Sequence, residues 1–201
     1  MSEEVIVPFD PPRALATLAT AVRSTVMLGS LRGLRTRDLF RTYLEHLPKR
    51  SHDAVLSIAA NQWMPIDVAI DHYNACEALN VTTSVAQQIG EETGVLLSQT
   101  ALGAILKITT TAGLTPWPAI GQSRRLIERT WQGSSIGAFK VGPKEARIEW
   151  VGQPCSSVPY FRVAFGGFLN GLLSLFCRKS YVNEIAKLRT ATAVAYQCSW
   201  V

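Results

Sequence analysis

The chain has 201 residues, of which 47% are hydrophobic and 17% are charged, and its formal net charge is +5. This length and composition are typical of one folded domain and exclude an intrinsically disordered chain. The four cysteines are widely spaced and form no CxxC pair, so we expect buried thiols rather than disulfides or a metal site. The acidic opening stretch MSEEVIVPFDPP lacks the features of a signal peptide, which predicts a cytoplasmic protein.

The positive charge is concentrated between residues 23 and 50. This region holds seven basic side chains against two acidic ones, an excess equal to that of the whole chain. Such a patch is typical of a solvated surface or of a surface that binds an acidic partner. It matches no nucleic-acid docking motif, so a protein partner is favoured over nucleic acid. The partner-binding candidates are Arg32, Arg35, Arg37 and Arg41.

Helical signals dominate the first two thirds of the chain. A first helix is expected from Asp10 to Gly29, because Asp and Pro are favoured where helices begin and Gly where they end. A second helix is expected to follow Thr36 and to stop at Pro48, and Ser51 is expected to cap a short third one.

Another helix is predicted to begin at Pro65. Its apolar spacing places Ile70 and Tyr73 towards the core and Asp71 on the solvent side. His72, next to Asp71, is therefore interpreted as an exposed histidine. None of the three histidines has the spacing of a metal site.

Two further helices complete this half. Ser84 and Gln87 form a capping-box pattern that predicts a long helix, and three glycines along it, the last at position 103, favour a break. Thr115 is expected to cap a final helix that ends at Gly133.

The hydrophobic period changes to two after this point. The runs SIGAFKV and ARIEWV flank the turn-rich GPKE, which predicts a β-hairpin. In the second run Ala146, Ile148 and Trp150 alternate with Arg147 and Glu149, which is the period of two expected of a strand.

The uncharged stretch VAFGGFLNGLLSLFC, residues 163–177, lies between Arg162 and Arg178. It is shorter than the roughly 20 apolar residues that a transmembrane helix needs. We therefore expect no membrane span but a buried helix, apolar on nearly all sides because it packs between a sheet and the helical half.

Two strand-like segments follow this helix and close the chain. The order strand, strand, helix, strand, strand predicts an α+β fold with a ββαββ antiparallel four-stranded sheet. We expect a single domain over residues 1–201. It would consist of a tail (1–12), a helical subdomain (13–133) and a ββαββ subdomain (134–201) that share one core.

Catalytic motifs are absent. GSSIG at 133–137 matches G-x-S-x-G, but a helix precedes it and a strand follows, the reverse of a nucleophile elbow. No P-loop or dinucleotide-binding fingerprint occurs, so we expect a protein that is not an enzyme. Aromatic side chains instead predict a ligand pocket at the seam between the two subdomains, with a solid core as the open alternative. The ligand-binding candidates are Trp117, Trp150, Phe161, Phe165, Phe168, Asn170 and Tyr196.

The final third resembles a paralogous domain family of unknown function that is abundant in myxobacteria. The matching positions are Pro159-Tyr160-Phe161, Gly166-Gly167 and Ser199-Trp200, and the stretch WMPIDVAIDHYNACEAL resembles the family's mid-domain helix. The resemblance covers most of the chain after about residue 25. Its motifs are packing motifs rather than catalytic ones.

That family is distantly similar to haem–nitric-oxide-binding and vinyl-reductase-type domains, and to subunits of vesicle-tethering complexes. The first likeness implies a non-enzymatic small-molecule sensor that holds a ligand between its subdomains. The second implies the alternative, an adaptor that uses the basic 23–50 surface, and related scaffolds form homodimers. Haem-binding members carry a Tyr-x-Ser-x-Arg motif that is absent here, so no haem, other cofactor or metal is expected.

Overall fold

A computed structural model of the protein describes residues 3–99 and 115–201. The described helices are α1 (Ser24–Arg35), α2 (Phe40–His46), α3 (His52–Leu56), α4 (Ile66–Ala78), α5 (Thr83–Ser98), α6 (Trp117–Gly121), α7 (Ser123–Thr130) and α8 (Pro159–Leu173). The described strands are β1 (Glu4–Val7), β2 (Ala21–Arg23), β3 (Trp63–Pro65), β4 (Trp131–Gln132), β5 (Ser135–Gly142), β6 (Glu145–Val151), β7 (Ser180–Glu184) and β8 (Ala193–Trp200). The predicted α+β class is confirmed.

The main sheet is antiparallel, with strand order β1-β5-β6-β8-β7. Strands β5 to β8, with α8 between β6 and β7, form the predicted ββαββ unit, and β5 and β6 form the predicted hairpin. The fifth strand, β1, lies in the residues expected to be a tail, and Val5 pairs with Phe139 at the edge of β5. Four residues are too few to show a clear period of two, so the sequence pattern did not distinguish this strand.

The expected first helix is wrong. Residues 13–15 form a single 3-10 turn, residues 21–23 form β2, and α1 begins only at Ser24. Strand β2 pairs with β3 and β4 in a second, three-stranded sheet, in which Val22 lies opposite Met64. The alanine-rich composition favours a helix, but pairing with distant strands determines the structure of this segment.

The same segment covers the outer face of the main sheet. The Ala19 N–H donates to the Gly152 carbonyl at 2.7 Å, so these backbone groups are satisfied without a helix. Arg13 forms an ion pair with Glu149, which is 5% exposed. Glu149 is therefore a buried carboxylate with a charged partner from this segment.

The first helix was predicted to end at Gly29, but the glycines of α1 have a different role. Gly29 does not end the helix, which continues through Gly33 to Arg35. A Cβ on Gly29 would lie 2.5 Å from Thr93 of α5, and one on Gly33 would lie 2.9 Å from Ile89. These two glycines therefore allow α1 to pack closely on α5.

Helices α5 and α8 are in backbone contact. A Cβ on Gly90 would lie 1.8 Å from the Ala164 carbonyl oxygen, and one on Gly167 would lie 2.1 Å from a carbonyl oxygen of α5. Gly94 and Gly171 come equally close, each with a Cβ position 2.4 Å from a carbonyl oxygen of the other helix. The uncharged stretch is thus the predicted buried helix. No helix among the described residues is long and apolar enough to cross a membrane.

The remaining helices differ in detail from expectation. A break was expected near the middle of the long segment, but α5 runs unbroken past Gly90 and Gly94 to Ser98, and the rest of the segment, with Gly103, lies outside the described residues. The final helix of this half is two helices, α6 and α7. Gly133 is not its end but a turn residue with φ +80°, placed over the Leu18 carbonyl. Cys76, Cys155 and Cys198 are buried free thiols, as expected, whereas the free thiol of Cys177 is only half-buried.

Candidate functional site

A narrow cavity of about 30 Å³ lies where α1, α4, α5, α7 and α8 meet. This volume accommodates about two or three water-sized molecules, since a single water needs about 10–15 Å³. The lining is largely apolar and, apart from Val26, buried. The described residues that line it are Val26, Ser30, Tyr73, Ile89, Gly90, Thr93, Ile127, Thr130, Trp131, Phe161, Ala164, Phe165 and Phe168.

Ser30 differs from the two threonines of the cavity wall. The Thr93 hydroxyl donates to the Ile89 carbonyl at 2.8 Å, and the Thr130 hydroxyl donates to the Leu126 carbonyl at 2.7 Å. Both protons are therefore used within their own helices. Ser30 Oγ instead lies 3.0 Å from Nε2 of a buried histidine.

That histidine is His72, and the expectation that it is exposed is wrong, because its side chain is 0% exposed. Its Nδ1 lies 2.9 Å from the Tyr43 hydroxyl. Burial lowers the pKa of His72 to about 3, so the ring is neutral and has one donor and one acceptor. If Tyr43 donates to Nδ1, Nε2–H donates to Ser30 Oγ. The Ser30 proton is then left for another acceptor.

Two further polar groups lie beside Ser30. The Tyr160 hydroxyl is buried and has no hydrogen-bond partner of normal geometry, although Ser30 and Cys76 are its polar neighbours. Burial raises the pKa of both the Tyr160 hydroxyl and the Cys76 thiol, so both remain protonated at neutral pH. The polar cluster next to the cavity is therefore uncharged.

Asp71 is also buried, contrary to the expectation of a solvent-facing carboxylate. Arg50 donates two hydrogen bonds to it, at 2.8 and 2.7 Å, and the Ser51 hydroxyl donates a third at 2.7 Å. The hydrogen bonds from Arg50 are the main reason that the pKa of Asp71 lies below its usual value. Asp71 and His72 can therefore both be buried, because side chains from other segments of the chain form hydrogen bonds with their polar atoms.

Three of the predicted ligand-binding residues line the cavity, namely Phe161, Phe165 and Phe168. Two others lie behind them. The Trp150 ring centroid is 4.7 Å from that of Phe165, and the Tyr196 centroid is 5.6 Å from it. Trp150 and Tyr196 therefore support the aromatic wall without lining the cavity.

Asn170 and Trp117 lie away from this cavity. The Asn170 amide donates to Glu91 at 2.8 Å, and its oxygen accepts from Ser180 at 2.7 Å, so its polar atoms are used in packing. Trp117 packs against Trp200, with centroids 4.8 Å apart. The seven candidates thus do not form one site.

The wall opposite the phenylalanines was missed. It comes from α1, α5 and α7, and includes Ser30, Ile89, Thr93 and Ile127. The four-residue spacing of Gly29 and Gly33, and of Gly90 and Gly94, is the sequence signal that marks the helix faces in closest contact.

The basic partner-binding candidates do not form one free cationic face. Arg37 binds Glu92 through two hydrogen bonds of 3.0 and 2.6 Å, and Arg41 lies 3.8 Å from Glu45. Arg35 stacks on Phe40 at 4.2 Å, and Arg32 shares a surface pocket with Glu92. Acidic neighbours therefore offset much of the charge seen in the sequence.

The cavity does not fit a haem. Cofactor sites occupy roughly 300–1,000 Å³, and the backbone contact between α5 and α8 closes the seam. The described lining contains no His, Cys or Met to bind iron, and both nitrogens of His72 already have partners. Among the described residues no group of three His, Cys, Asp or Glu side chains is placed to hold a metal ion.

No protein-family model and no curated protein matches the chain, so membership of the myxobacterial family stays a prediction. Solved H-NOX structures match its fold. One, from a study of haem distortion in the H-NOX family, is 12% identical with a TM-score of 0.61, covering 89% of this chain and 94% of that chain. An oxygen-binding H-NOX domain related to soluble guanylate cyclases is 13% identical with a TM-score of 0.59, covering 89% of this chain and 94% of that one. An Fe(II) unliganded H-NOX protein from K. algicida is 7% identical with a TM-score of 0.59, covering 89% and 96%. The chain therefore has an H-NOX-like α+β fold.

Proposed function

We propose that this protein is a haem-free, non-enzymatic sensor domain that binds a small, mainly apolar molecule in the cavity between its two subdomains. The observation that supports this most is the position of the cavity. Its walls come from α1 and α5 of the helical half and from α8 of the ββαββ half. A molecule bound there contacts both halves, so its binding energy depends on how they pack.

The size and chemistry of the lining define the ligand class. A cavity of about 30 Å³ admits a molecule of one to three heavy atoms. Aromatic and aliphatic side chains favour an apolar molecule, and the Ser30 hydroxyl offers one hydrogen bond to a weakly polar one. The ring of His72 is neutral, so it adds no positive charge at this end of the cavity.

Xenon is a suitable probe, because it is apolar and small enough for cavities of this kind. Methyl NMR spectra under xenon pressure should show saturable shifts of Ile89 and Ile127. Phe165→Trp should fill the cavity and abolish this response while preserving the fold. A saturable response that persists in Phe165→Trp, or that is absent from the parent, would contradict the proposal.

Two isoleucines provide a matched pair of milder variants. Ile127 lines the cavity, whereas Ile136 is equally buried in β5 and does not. Each Ile→Val change costs about 0.5–1.5 kcal/mol of stability. Only Ile127→Val enlarges the cavity, so xenon binding should strengthen in that variant and match the parent in Ile136→Val.

The haem-free character has its own test. Haemin added to the purified protein should give no stoichiometric shift of the Soret band, because the α5–α8 contact leaves no room for a porphyrin. A one-to-one complex that Phe165→Trp abolishes would overturn this part of the proposal. The adaptor role, homodimerisation and a role in signalling depend on the family resemblance and remain predictions.

A further inference from the structure

A second concave site lies on the surface, apart from the cavity just described. It is a groove of about 540 Å³ between the β5–β6 turn, the start of α6, the chain that follows α8, and the end of β8. Its size falls in the roughly 300–1,000 Å³ range of small-molecule sites. The lining residues that matter for its chemistry are Trp117, Pro143, Lys144, Leu175, Arg178 and Trp200.

Two indole rings form a fixed aromatic wall. The rings of Trp117 and Trp200 meet edge to face, with an interplanar angle of 75°. The indole N–H of Trp117 donates to the Pro143 carbonyl at 3.2 Å, which fixes this ring against the hairpin turn. Trp200 is 5% exposed and is held in β8. Such rigid rings favour a flat, apolar ligand body.

The charge of the groove is cationic. Lys144 and Arg178 are exposed and form no ion pair with the described residues. The described lining includes no Asp or Glu side chain. The main-chain oxygen of Val201 lies nearby and accepts the backbone N–H of Arg178 at 3.2 Å.

We propose that this groove binds a small organic anion with a flat aromatic body. The body packs on the exposed part of Trp117, which Trp200 supports from behind, and Lys144 and Arg178 bind the carboxylate or phosphate, the class of group that guanidinium and ammonium ions recognise. This site does not depend on the narrow cavity, so either proposal can fail without the other.

The test uses the full chain and 2-naphthoate as the probe, followed through the indole N–H signals in NMR spectra. Saturable shifts are expected for Trp117 and Trp200 below about 10 mM probe, the range of a weak single-anion site. The neutral isostere 2-naphthamide should bind at least about tenfold more weakly, because it lacks the charge that Lys144 and Arg178 recognise.

Two double variants each remove two positive charges, one pair inside the groove and one pair outside it. Lys144→Gln with Arg178→Gln should weaken 2-naphthoate binding at least about tenfold. Lys187→Gln with Arg189→Gln, outside the groove, should leave binding unchanged. Equal affinity in all variants, equal affinity for the amide, or shifts confined to other indoles would overturn the proposal.

Discussion

Replacing Gly90 with alanine should destabilise the protein, although alanine is the better helix former. The new methyl group would lie 1.8 Å from the Ala164 carbonyl oxygen, whereas ordinary contact begins at 3.4 Å. Helices α5 and α8 would have to move apart by about 1.6 Å, which also loosens the three other glycine contacts between them.

The net effect is the difference between two opposing contributions. Overpacking costs about 1–3 kcal/mol, and we take the upper value because a backbone carbonyl cannot rotate away. Alanine recovers about 1 kcal/mol of helix propensity. The expected net loss is about 2 kcal/mol, which corresponds to a decrease in melting temperature of about 4–8 °C for a chain of this size.

Urea unfolding followed by circular dichroism measures this loss, and Gly121→Ala is the matched control. Gly121 ends α6 and has no atom within 4 Å of its Cβ position. Alanine there should stabilise the protein by about 0.4–1 kcal/mol. If Gly90→Ala proved as stable as the parent, the two helices would not be in backbone contact.

Two other predictions concern polar groups. As the pH falls from about 6 to about 4, His72 should lower the unfolding free energy by up to about 1.4 kcal/mol per pH unit. The unfolded histidine binds a proton near pH 6.5 and the folded one only near pH 3, so acid favours the unfolded chain. His72→Gln should reduce that slope in urea titrations at several pH values, and an unchanged slope would show that His72 is solvated. Arg37→Gln should cost about 1 kcal/mol, because Arg37 is 21% exposed and binds Glu92 twice. Arg41→Gln, at a residue 94% exposed, should change stability by less than about 0.5 kcal/mol, and equal effects of the two variants would refute this distinction.

The sequence predicted those elements whose pattern lies within one short stretch of the chain. The hairpin followed from alternation around a turn, and α8 followed from a long uncharged stretch. Three of its phenylalanines, Phe161, Phe165 and Phe168, line the cavity. The other wall of the cavity could not be predicted, because Ser30, Ile89 and Ile127 come together only when three separate helices pack.

The errors have a common physical origin in distant partners. His72 looked exposed beside Asp71, yet Tyr43 and Ser30 satisfy its ring nitrogens from other helices. Residues 13–23 looked helical, yet backbone groups of residues 17–23 bond to residues 63–66, 131–134 and 152. Buried polar residues and extended segments of this kind depend on contacts with distant residues, and the spacing of hydrophobic residues along the sequence does not show such contacts.

The late pairing of β1 has a consequence for synthesis in the cell. Val5 must wait for Phe139, which takes roughly 7–27 s at about 5–20 residues per second. During this time the β1 segment has no strand to pair with. An unpaired strand can instead pair with another chain, which leads to aggregation. Glu3 and Glu4 precede its apolar residues and Pro8 follows them. Charged residues and proline beside an apolar strand are typical of gatekeepers, which disfavour pairing with another chain.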